Sequence, residues 1–61
     1  MNYLSKDFYE AWAEGGRRAY CWINAARQWA ISARDYVAAA ELDFLTDVLD
    51  QKIANEIMEA A

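Results

Sequence analysis

Residues 17–40 read RRAYCWINAARQWAISARDYVAAA, and their phasing decides the fold. At about 100° per residue, Trp22, Trp29 and Tyr36 fall on one line because each lies seven positions from the next. Ala19, Ala26, Ala33 and Ala40 form a second line, and Ile23, Ala30 and Val37 a third. Three adjacent heptad lines make an apolar face wider than the two-position seam of a simple coiled coil. Alanine along its centre lets another helix backbone come close, while the aromatic edge covers the joint. One helix of about 36 Å is expected here, too long for the segment before it to cover.

Upstream, Ser5 is placed to cap a first helix, with Leu4 before it and Tyr9 at the fourth helical position as a hydrophobic staple. Its apolar stripe is Leu4, Phe8, Ala11 and Trp12, and Gly15-Gly16 is suited to end it, since glycine tolerates the left-handed conformation of helix ends. Phe8 and Gly15 nevertheless share the Trp22 line, and Trp12 shares the Ala19 line. A single helix from Ser5 to Ala40 is therefore the alternative, against a penalty of about 2 kcal/mol for two interior glycines.

Downstream, Leu42, Leu45, Leu49, Ile53, Ile57 and Ala60 lie within roughly 120° of arc. In the frame of the preceding helix that stripe sits on nearly the opposite side. A tight turn between Ala38 and Asp43, with Asp43 as N-cap, accounts for the jump. Phe44 and Val48 extend the older stripe, which leaves one bent helix as the alternative. The expected architecture is all-α: a single domain over 1–61, with helices at about 5–14, 17–40 and 43–60, forming a two- or three-helix hairpin that dimerises into a bundle.

Size points to association. A chain of 61 residues buries only about 60% of its unfolded surface and is marginal alone, so small scaffolds recruit disulfides, metals or partners. One cysteine, Cys21, excludes an internal disulfide, and the absence of histidine removes both a four-ligand zinc site and a carboxylate–histidine di-iron site. Cys21 has no activating neighbour and reads as a bystander thiol. No cofactor is expected. Nine aromatic residues and 57% hydrophobic content are rich for a monomer. A two-fold dimer burying Trp22, Ala26, Trp29, Ala33 and Tyr36 is the expected outlet.

Charge is segregated. Residues 1–40 carry five basic and four acidic groups, net +1, whereas residues 41–61 carry six acidic groups against Lys52, net −5. The simplest consequence is that the basic middle and the acidic end face each other. Asp43, Asp47 and Asp50 form a strip at i, i+4 and i+7 that is mainly a solvated face, but it could engage a basic protein surface. Trp12, Tyr3 and Tyr20 are the aromatic residues fewest other positions can cover; Trp12 and Tyr20 join the strip as candidate partner contacts.

Other function classes fit poorly. A pI near 4.5 argues against direct nucleic-acid binding. A polar face bearing Asn24, Gln28 and Asp35 argues against a membrane-lying helix, and Glu10 and Glu14 lack the pocket or nucleophile an acid–base pair would need. The start of the chain lacks a signal-peptide pattern, and the longest uncharged run, Ala19 to Ala26, is eight residues, far short of the roughly 20 of a membrane span. A cytoplasmic setting is expected, and the chain reads as a whole small protein. In length, acidity and helical content it resembles the small inhibitors carried by phages and other mobile elements, a likeness of composition without a motif. The resulting expectation is a non-catalytic, protein-binding regulator or inhibitor. A structural homo-oligomeric subunit is the alternative.

Overall fold

Three residues with positive φ divide the chain: Gly15 (+117°), Gly16 (+92°) and Arg34 (+59°). Between them the computed structural model, which describes residues 3–60, forms α1, Lys6–Ala13; α2, Ala19–Ser32; and α3, Tyr36–Ala60. The protein is all-α, with no strand among the described residues.

Gly15 and Gly16 close α1. The Gly16 N–H donates to the Ala11 carbonyl at 3.0 Å, and the Gly15 N–H to the Trp12 carbonyl at 3.3 Å. This is the paired-bond ending that satisfies the last carbonyls through a left-handed residue. The stripe that runs in phase through the glycines therefore does not continue as one helix. Ser5 does stand at the N-cap, where its carbonyl accepts the Phe8 N–H at 3.1 Å, but its side chain makes no capping bond.

The same ending recurs after α2 without glycine. The Asp35 N–H donates to the Ala30 carbonyl at 2.8 Å and the Arg34 N–H to the Ile31 carbonyl at 2.9 Å, with Arg34 in the left-handed position. Left-handed geometry is worse for a residue with a Cβ than for glycine by about 1 kcal/mol. Arg34→Gly should therefore raise stability by about that amount, or roughly 4–8 °C in Tm. A thermal melt showing no gain would mean that contacts of the arginine side chain outweigh the strain.

This turn corrects the expected boundaries. The middle helix ends at Ser32, not Ala40, and the reversal lies at residues 33–35, not between Ala38 and Asp43. Asp35, not Asp43, is the N-cap: its carboxylate accepts the Ala38 N–H at 3.1 Å, the usual capping bond to the third helical residue. Residues 36–42, YVAAAEL, contain no breaker, so once capped the helix runs on. Tyr36, Val37 and Ala40 fell in phase with α2 by coincidence.

Packing follows from small residues on α2. Ala19, Ile23, Ala26 and Ala30 are buried at alternating four- and three-residue spacing, against Ala39, Leu42 and Leu49 of α3, with Phe8 and Ala11 of α1 completing the core. Helices α2 and α3 run antiparallel, since Arg27 meets Asp43 and Tyr20 meets Asp50. The start of the chain is tied to the hairpin turn by the Tyr3 hydroxyl, which donates to Asp35 at 3.1 Å. The helices thus run up, down and up.

Ala26, 1% exposed, sits in the α2–α3 seam, while Ala33 is exposed in the turn. Ala26→Leu should overpack the seam and destabilise by about 1–3 kcal/mol, whereas Ala33→Leu should change stability by less than about 0.5 kcal/mol. Equal effects of the two in denaturant titration would contradict this packing.

Helix α3, with 25 residues, is about 37 Å long, against about 21 Å for the 14 residues of α2. The molecule accordingly measures 42 × 19 × 14 Å. Residues 54–60 project past the start of α2, all of them exposed. No helix among the described residues is long and apolar enough to cross a membrane.

Candidate functional site

Helix α3 is apolar on two sides. At about 100° per residue, Ala39, Leu42, Leu49 and Ile53 share the arc that packs inward. Val37, Ala40, Phe44 and Val48 share a second arc on nearly the opposite side. The chain covers only the first. Val37 is 73% and Phe44 69% exposed, and Tyr36 and Val48 are also exposed.

Phe44 and Glu41 form a ridge between two shallow clefts. One cleft lies towards the chain start, against Tyr3, Leu4 and Leu45. The other is floored by Tyr36, Val37 and Ala40.

Carboxylates are the charged groups along the middle of this face, with Lys52 beside Val48 at one end and the exposed Arg34 in the turn before Tyr36 at the other. From Tyr36 to Gln51 the helix carries Glu41, Asp43, Asp47 and Asp50 and neither Lys nor Arg. Asp43 accepts a hydrogen bond from Arg27 Nε at 2.7 Å, and Asp50 accepts one from the Tyr20 hydroxyl. Both bonds bridge α3 to α2, so part of the acidic strip pairs with the basic middle of the chain. Glu41 and Asp47 are exposed and make no hydrogen bond or ion pair among the described residues. The nearest cation along the helix, Lys52, is engaged by Glu56.

The residues expected at a partner surface are scattered. Trp12 is half-buried, with its ring 5.6 Å from that of Phe8. Tyr20 is half-buried and committed to Asp50. Of the acidic strip only Asp47 is unengaged among the described residues.

The five residues expected at a dimer interface do not share a surface. Trp22 packs partly against the core, Ala26 is inside the α2–α3 seam, Trp29 is exposed on α2, Ala33 lies in the turn and Tyr36 begins α3. The heptad line that united them requires one straight helix from 22 to 36, and the Arg34 turn interrupts it. Val37, Ala40, Glu41, Phe44 and Val48 were missed as a site. The spacing of Val37, Ala40, Phe44 and Val48, three, four and four residues, is visible in the sequence, but it reads as an extension of the stripe of the preceding helix. Cys21 is an exposed free thiol.

Beside the Arg27–Asp43 pair, two phenols make polar links between elements. The hydrogen bond to Asp50, then partial burial and the Asp50 charge, raise the Tyr20 hydroxyl above its ordinary pKa. Burial first, then the Asp35 hydrogen bond and charge, raise Tyr3 likewise. A raised folded-state pKa contributes stability that is complete below the unfolded value, about 10 for tyrosine, and is lost as pH rises through the folded value. The protein should therefore lose stability above about pH 10, and Tyr20→Phe should shrink that loss. A pH-independent Tm from 9 to about 11 in the wild type would remove both links. Against this geometry, no family model, curated protein or solved structure matches the chain.

Proposed function

We propose that this protein is a non-catalytic regulator or inhibitor that works in the cytoplasm by docking the outer face of α3 on a partner protein. One observation carries the reading: α3 is apolar on two opposite sides and the chain buries only one. A helix apolar all round is normally enclosed, and contiguous exposed apolar surface marks interaction sites.

A second reading, a self-associating structural subunit, draws on the overhanging end of α3. Ile57 continues the inward line of Leu49 and Ile53 past the start of α2, and it is exposed together with Met58. The two readings separate by mutation. Capture from host lysate with the wild type, Phe44→Asp, Trp29→Asp and Ile57→Asp should give one stoichiometric partner that is lost only with Phe44→Asp. Higher oligomers in native mass measurements that dissolve with Ile57→Asp, without any Phe44-dependent partner, would establish the structural subunit instead.

A further inference from the structure

We infer that the outer face of α3 receives a basic amphipathic helix, with apolar residues at three- and four-residue spacing and Lys or Arg along both flanks. The inference rests on the protein-binding reading above and adds the chemical class of the partner.

Shape favours a helix. Val37 to Val48 span about 16 Å along α3, three turns, which matches the i, i+3/i+4, i+7 anchors of a helix laid in a groove. The Phe44–Glu41 ridge between two clefts is the relief that side-chain rows of a crossing helix straddle.

Charge selects the class. Glu41 stands on one side of the stripe and Asp47 on the other, each without a partner among the described residues. An occupant that desolvates these carboxylates must pair them, because an unpaired charge removed from water is costly. Lysine and arginine can do so while laying their apolar stems over the rim. A neutral or acidic occupant cannot.

A second copy presented through the same face fails on this ground. A two-fold contact is isologous, so it would bring the Glu41 and Asp47 carboxylates of both copies to one interface, and like charges across an interface oppose association. Anionic lipid headgroups are repelled for the same reason.

The test uses the full chain and two dye-labelled helical peptides with identical leucine positions. One is flanked by lysine and the other by glutamate, and binding is read by fluorescence anisotropy. The lysine peptide should bind at least about tenfold tighter, an advantage that shrinks as salt screens the rim. Phe44→Asp, its fold checked by circular dichroism, should weaken it by about tenfold or more. The pair Glu41→Gln with Asp47→Asn should weaken it several-fold, whereas Glu10→Gln with Glu14→Gln, which removes the same charge from α1, should leave it within about twofold.

Equal loss from the two charge pairs would reduce the effect to general attraction and overturn the inference. Equal binding of both peptides, lost with Phe44→Asp, would overturn the basic class while leaving the α3 face as the docking surface. A wild type that is dimeric in sedimentation and becomes monomeric with Phe44→Asp would make the occupant a second copy. Failure of both peptides to bind would overturn the inference alone. The reading beneath it falls only if host capture shows no dependence on Phe44.

Discussion

Gly16→Ala is expected to lower stability by about 2–5 kcal/mol, a large part of the stability of so small a chain. Two effects add. Gly16 has φ +92°, where a Cβ introduces strain of about 1–2 kcal/mol. The new Cβ would also stand 2.5 Å from Leu49 Cδ1. A flexible side-chain end could swing away from such a contact, but Leu49 is 0% exposed and has nowhere to go, so overpacking contributes a further 1–3 kcal/mol or so. At about 0.05–0.15 kcal/mol per residue, a 61-residue chain has only about 3–9 kcal/mol to lose.

Gly15→Ala is the control. Its φ is +117°, but a Cβ there meets nothing within 4 Å, so it should show the backbone penalty without the clash. Urea titration of both variants checks this. Equal losses would mean that α1 does not turn against Leu49 as described.

Leu49→Ala should destabilise by about 2–5 kcal/mol and leave much of the population unfolded at 37 °C. Leu49 is the largest fully buried side chain among the described residues, and it is where the glycine turn after α1 meets α3. Little around it can collapse into the space, because the α2 seam opposite is mostly alanine. The double variant Gly16→Ala/Leu49→Ala should be less damaging than the sum of the singles by about 1 kcal/mol or more, since truncating Leu49 makes room for the new methyl. Strict additivity in the double-mutant cycle would show that the two sites do not touch.

The helical class, the glycine break and the inward stripe of α3 were all legible from composition and phase. Gly15-Gly16 can be read locally, because the left-handed residue that ends α1 is a glycine. The second turn could not be read the same way. It uses the same hydrogen-bond pattern with Arg34 in the left-handed position, and arginine gives no local sign of it. In the sequence Asp35 reads as part of a polar face with Asn24 and Gln28, while Asp43 offers capping chemistry beside the apparent change of stripe. The two differ in outcome because the Asp35 carboxylate is shared between the Ala38 N–H and the Tyr3 hydroxyl, 32 positions away.

The candidate site was hidden for a related reason. Val37, Ala40, Phe44 and Val48 are in phase with Ile23 and Ala30, and periodicity cannot tell one long face from two faces on successive helices. Likewise, the opposed charges of α2 and α3 were readable as a tendency, but only the antiparallel register assigned Asp43 to Arg27 and Asp50 to Tyr20 while leaving Glu41 and Asp47 unengaged.

What the sequence determined by itself is what depends on neighbours within a turn or two: helix formation, the glycine break, and the inward line from Leu42 to Ile53 of α3, whereas Ile57 and Ala60 of the same expected stripe stay exposed beyond the start of α2. What only the tertiary structure decided is where the chain reverses and which apolar face stays in water. A non-glycine left-handed turn is selected by the contacts it permits elsewhere. The outer face of α3 is exposed because α1 is too short, and α2 too committed to the inner seam, to reach it.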